Sequence, residues 1–233
     1  MQLFCLIGNE AWLLKKGDAD GGNRISGVVC VGLAVSGCAS FQVGSQFQAG
    51  RQALLRNNPE QALAYFQRAA QMNPDYVFQA ESFREGIWTY LGRAQYATGK
   101  LPDARRSFEQ ALSKNKDDYM ARLFLGLTLA RNGDRSAALK EIQSGLKELY
   151  DWLEYKNATQ PFDALWDPSR EIRSEIEKDL AMISAKDIDW PKLVSSAEWV
   201  GKRMEEEIDY VRRDELEKHK DRDFRPPGLG MEP

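Results

Sequence analysis

The chain of 233 residues has a single histidine, His219, and it lies in a charged stretch near the end. Catalytic triads and His-ligated metal sites are hard to build from so little, and no metal or cofactor is expected. The three cysteines, Cys5, Cys30 and Cys38, all fall within the first 38 residues and form no CxxC pair, so zinc and thiol-exchange motifs are missing. A cysteine-free body suits a reducing or an oxidising compartment equally. The longest apolar run, residues 25–37, is too short for a membrane-spanning helix, which needs about 20 residues. Charge of one sign is also in short supply. A formal net charge of -3 gives no field that would gather phosphates, so nucleic acid is not an expected partner. Gly92 to Lys100 ends in Gly-Lys but has the wrong glycine spacing for a phosphate loop. The many carboxylates show no pair placed to split its pKa values, and no small-molecule substrate is evident.

What is present begins with that apolar run. Its length matches the core of a secretory signal, Arg24 precedes it, and small residues close it. The closing residues, Val35-Ser36-Gly37-Cys38, look like the lipobox of bacterial lipoproteins, in which the cysteine sulfur receives a diacylglycerol and becomes the first mature residue. This resemblance implies a signal over residues 1–37, lipidation at Cys38 and a tether over 38–42; Ala39 after the cysteine favours the outer membrane. The open alternative is a buried N-terminal segment that happens to end in Gly-Cys. Residues 1–23 are long and mixed for a leader, whereas Lys15 and Lys16 suit a start near Leu13 or Leu14.

The body is organised by an internal period. Leu91, Gly92, Gly99, Ala104, Phe108 and Ala111 recur 34 positions later as Leu125, Gly126, Gly133, Ala138, Ile142 and Gly145, whereas the position of Trp88 holds Arg122 and breaks the pattern. Gly50, Ala62, Phe66 and Ala69 repeat the same spacings before Asn73-Pro74. About eight residues, 77–84, are extra between the first two units and are expected to lengthen the first helix of the second. Small residues at these spacings let two helices touch, with Gly50, Gly92 and Gly126 facing Ala62, Ala104 and Ala138. Phe66, Phe108 and Ile142 would then fill the space between hairpins.

This pattern resembles the tetratricopeptide repeat (TPR) family over residues 43–152, as units 43–76, 85–118 and 119–152. The fold expected is all-α: three helical hairpins in a short right-handed solenoid. The resemblance implies a concave face lined by the first helix of each hairpin, where the family takes peptides or partner helices. Phase places Phe47, Arg51 and Leu54 on that face from the first unit, Thr89, Arg93 and Tyr96 from the second, and Leu123, Leu127 and Arg131 from the third. Arg51, Arg93 and Arg131 would form a guanidinium row suited to an acidic or carboxylate-bearing segment, or else be solvated or paired locally. The lysine-and-asparagine clamp by which some members hold chaperone C-termini is not matched, since Arg51 and Arg93 stand at the comparable places.

Beyond the repeats, 153–168 reads as a linker and 169–220 as two amphipathic helices capping the array, the alternative for the second being that its stripe pairs with another protein's helix. Asp167 or Ser169 caps the first, which carries Ile172, Ile176, Leu180 and Ile183 on one stripe. The second carries Leu193, Ala197, Val200, Met204, Ile208 and Val211, with a charged opposite face including Glu205, Glu206 and Glu207 expected in solvent. Residues 221–233 read as a flexible tail. The function expected is a non-catalytic adaptor or scaffold, lipid-anchored and facing the periplasm. The alternatives are a soluble cytoplasmic scaffold and, further off, a small enzyme with an unrecognised site.

Overall fold

Three helix-to-helix turns in this chain close with the same hydrogen bonds. Asn58 N–H donates to Ala53 C=O at 2.9 Å, Lys100 to Gln95 at 2.8 Å and Asp134 to Leu129 at 3.0 Å. Each turn passes through one left-handed residue, Asn57 (φ 57°), Gly99 (φ 74°) or Gly133 (φ 89°), as a Schellman ending requires. The computed structural model describes residues 26–159, 166–185 and 187–223, with side chains from 41 to 218 within those ranges. The first 25 residues, the middle of the expected linker and the tail from 224 lie outside the described residues.

The turns join α1 (Ser26–Leu55) to α2 (Pro59–Met72), α3 (Ile87–Ala97) to α4 (Leu101–Lys114), and α5 (Tyr119–Arg131) to α6 (Arg135–Thr159). Asn58 and Asp118 cap α2 and α5 by accepting from the backbone N–H three residues on. The expected all-α solenoid of helical hairpins is thus the fold. Within each hairpin the packing differs in one respect from the sequence expectation. A Cβ added to Gly50 would lie 2.5 Å from the Phe66 ring, and one added to Gly92 would lie 2.6 Å from the Phe108 ring. The glycines therefore make room for the large residue of their own hairpin, and the aromatic does not sit only between hairpins. Gly126 does the same beneath Ile142, 2.6 Å from its backbone nitrogen.

The extra residues after the first hairpin do not lengthen a helix. They form an antiparallel hairpin, β1 (Val77–Ala80) with β2 (Phe83–Gly86), in the register Val77–Gly86, Phe78–Glu85, Gln79–Arg84 and Ala80–Phe83. Phe78, Ala80, Phe83 and Glu85 are buried, and their neighbours Gln79 and Arg84 are exposed, the two-residue period of a half-buried strand. Phe78 stacks on Phe47 with centroids 5.2 Å apart, and Phe83 meets Trp152 at 5.1 Å and Trp166 at 5.8 Å.

The segment read as a linker is also partly helical, because α6 continues to Thr159 and buries Leu153 and Lys156. Trp166 beyond it is buried, and its indole N–H donates to Glu81 at 2.7 Å. The Asp167 carboxylate accepts from the backbone N–H groups of Ile172 and Arg173, both at 3.0 Å, and so starts α7 (Glu171–Ile183). Ile172 and Ile176 are fully buried against the array. α8 (Trp190–Asp223) follows, with Leu193, Ala197, Val200, Met204, Ile208 and Val211 all buried.

Candidate functional site

The first helices of the hairpins share one neighbour. From α8, Glu205 reaches Arg51 on α1 at 2.5 Å and Arg93 on α3 at 2.7 Å. One helical turn on, Asp209 meets Arg51 at 2.9 Å, an ion pair that is out of hydrogen-bond alignment. Two turns earlier, Glu198 accepts from the Tyr96 hydroxyl at 2.5 Å and from Arg131 on α5 at 2.6 Å. A Cβ on Gly201 would lie 2.6 Å from the Phe124 ring of α5, so a glycine there lets α8 approach. The Gly201 carbonyl accepts from Arg93 at 3.3 Å. The face lined by the repeat arginines is therefore occupied by an acidic helix of the same chain.

The positions singled out on that face divide accordingly. Arg51 and Arg93 are buried and converge on Glu205, and Tyr96 and Arg131 converge on Glu198, with the Arg131 guanidinium 4.1 Å above the Tyr96 ring. Phe47 is fully buried among Phe66, Tyr76, Phe78 and Tyr90 and belongs to the core. Leu123 and Leu127 are likewise fully buried, and Leu54 is half-buried against the core. The buried Thr89 hydroxyl donates to Asp118 at 2.6 Å, tying α3 to the start of α5. Cys38 falls within the bounds of α1, and its side chain lies outside those described.

Sequence reasoning placed Glu205, Glu206 and Glu207 together in solvent, and for two of them the structure corrects this. Glu205 is 2% and Glu207 3% exposed, and Glu207 accepts from the Asp167 backbone N–H at 2.8 Å. Glu206 faces outward to Arg203 at 3.2 Å. Glu85, which the sequence reading passed over, is buried below the same cluster. Its nearest cation is Arg93, 3.9 Å away, and neither carboxyl oxygen has a hydrogen-bond partner among the described residues. An isolated glycine in a long helical stripe was the one signal in the sequence for Gly201.

The electrostatics follow from this geometry. Burial, outweighing the attraction of Arg93, pushes the Glu85 carboxyl up to about 8, with Glu205 and Asp118 adding to the rise. Burial acts on Glu205 in the same sense, yet Arg93 and Arg51 together hold it below the usual carboxylate range. Burial and the neighbouring Glu198 raise the Tyr96 hydroxyl. Two cations are thus divided among Glu205, Asp209 and a Glu85 that favours its neutral form.

A second concavity, a cleft of about 520 Å³, opens between the β-hairpin and the start of α5, with Tyr76, Trp88, Tyr119, Trp152 and Arg84 in its walls. Among the described residues no group of His, Cys, Asp and Glu is arranged to hold a metal ion.

No curated protein and no solved structure matches the chain. A tetratricopeptide repeat family model matches residues 91–150, which run from the middle of α3 through α4 and α5 into α6. The first hairpin lies outside that match but carries the same turn hydrogen bonds and the same glycine-to-aromatic contact. Residues 91–150 are thus similar to the tetratricopeptide repeat family, within an all-α array of helical hairpins.

Proposed function

We propose that this chain is a non-catalytic adaptor that binds other proteins through its repeat array, tethered by a lipid on Cys38 to the outer membrane and facing the periplasm. The observation that carries the binding part is the seat of α8. The repeat face holds an amphipathic acidic helix through Arg51, Arg93 and Arg131, so its chemistry suits a partner with acidic or carboxylate-bearing character. The tether rests on the lipobox-like Val35-Ser36-Gly37-Cys38. Among the described residues no helix is long and apolar enough to cross a membrane, and attachment in this reading is covalent. Each buried methylene of an acyl chain contributes about 0.8 kcal/mol, so several chains hold the protein stably.

A second reading keeps α8 in place and uses the open cleft beside the β-hairpin, where exposed Arg84 stands among aromatic walls. A soluble scaffold without a tether is the corresponding alternative for location.

Two measurements test the proposal. Metabolic labelling with a tagged fatty acid should mark the wild-type protein and not Cys38→Ala; equal labelling of both, or of neither, overturns the tether. Crosslinking in envelope fractions should capture partners that are lost on Arg131→Glu. Capture lost on Arg84→Glu instead moves the partner surface to the cleft, and no capture at all overturns the adaptor reading.

A further inference from the structure

The helix seated on the repeat face has the chemistry expected of a ligand. Its carboxylates at Glu198, Glu205 and Asp209 are spaced by two turns and then one turn, so they share a face and meet the repeat arginines in order along the array. Its apolar stripe runs beside them, and Gly201 removes the one side chain that would hold it off Phe124. The seat combines that fully buried stripe with the ion pairs of Arg51, Arg93 and Arg131. A buried ion pair roughly breaks even against its desolvation, so the pairs fix register more than they add strength. Beneath α8, Glu85 is buried with no well-aligned hydrogen bond among the described residues. The link from α7 is short, since α7 ends at Ile183 and α8 begins at Trp190.

We propose that α8 is a built-in occupant of the repeat face, and that the array's partner is an acidic amphipathic helix that replaces it by presenting carboxylates at the spacing of Glu198, Glu205 and Asp209. This rests on the adaptor reading and narrows it to one partner chemistry and one regulatory contact. Tethering gives α8 an effective concentration in the millimolar range, and the apparent affinity of a competing helix falls in proportion to the fraction of molecules whose face is free. If the face is free in about one molecule in a hundred, the apparent affinity falls about a hundredfold. The full chain is therefore a gated receptor, opened by whatever weakens α8.

The test uses full-length protein and a synthetic peptide with the sequence of residues 190–218. Glu205→Arg places a third cation between Arg51 and Arg93 and should release the tethered helix. The peptide is then expected to bind this variant at least tenfold more tightly than wild type, whereas a peptide carrying Glu198→Lys and Glu205→Lys should bind neither. Gly201→Leu, which drives α8 off Phe124 by bulk alone, should open the face in the same way. Equal binding to wild type and variants, or no binding to either variant, overturns the proposal. So does loss of the cooperative helical unfolding transition in both variants, because α8 is then a constitutive part of the fold. Binding here with no partner captured in envelope fractions would leave the gate standing and remove the adaptor reading, so the two fail separately.

Discussion

Glu85 lies 3.9 Å from the guanidinium of Arg93, whose closer contact, at 2.7 Å, is with Glu205; among the described residues its oxygens have no well-aligned hydrogen bond, although the Tyr90 hydroxyl stands beside them. A buried carboxyl in that position is better neutral, and burial pushes it up to about 8 from an ordinary value of 4.5. The fold therefore keeps a proton on Glu85 that the unfolded chain releases. Stability from this site is full below about pH 4.5, declines as pH rises through the interval from 4.5 to 8, and is lowest above it. Glu85→Gln, which mimics the neutral acid, should lack the decline. Its Tm should exceed that of wild type at pH 9 by about 5 °C, with the gap closing toward pH 5. Thermal scans at both ends of that range check this; a gap that widens on acidification contradicts it.

Two arginines of the row look alike in sequence and should behave differently. Arg93 is buried with Glu205, so Arg93→Leu leaves Glu205 to Arg51 alone and takes from Glu85 its nearest cation. Losing one partner of a buried pair costs about 3–5 kcal/mol. Arg131 and Glu198 are 40% and 33% exposed, and solvent screens such a pair to about 0–1 kcal/mol. Urea unfolding of Arg93→Leu and Arg131→Leu should separate them by several kcal/mol, and equal midpoints would show that Glu205 does not depend on Arg93.

The repeat glycines make a third case. Gly92→Ala puts a methyl 2.6 Å from the Phe108 ring, and neither helix can yield without disturbing its hairpin, so the expected loss is about 1–3 kcal/mol. Gly86→Ala is the control, since nothing lies within 4 Å of its added carbon. Shortening the ring by Phe108→Leu in the Gly92→Ala background should recover part of the loss.

The array was legible in the sequence because its packing is local and periodic. Gly92 and Phe108 lie within one unit, and the contact they make recurs wherever their spacing does. The β-hairpin was legible in principle, since Phe78, Ala80, Phe83 and Glu85 follow a two-residue period, but the helices on either side drew those residues into a helical reading. Glu205 was not legible. It lies in a run of three glutamates, and only partners 112 and 154 residues away decide which of them is buried. Phase put Arg51, Arg93 and Arg131 on one face, either as a row for carboxylates or as solvated or locally paired cations, whereas their pairing with the chain's own α8 depends on tertiary structure that no local pattern records.

The first turn of the array offers a sharper test of the repeat than any match of letters. Asn57 takes the left-handed conformation (φ 57°) that Gly99 and Gly133 take in the second and third turns, and its backbone N–H donates to Leu54 C=O at 2.9 Å, as Gly99 does to Tyr96 and Gly133 to Ala130. Asparagine tolerates this region better than other residues with a Cβ, but glycine occupies it without steric penalty. Asn57→Gly should therefore be neutral or stabilising by up to about 1 kcal/mol, while Asn57→Val should be destabilising by about 1–2 kcal/mol. The converse change, Gly99→Ala, should cost about 1 kcal/mol for the same reason. Chemical denaturation of the three variants measures this directly. Stabilisation by valine, or a large loss with glycine, would mean that the first turn does not use the backbone conformation of the other two.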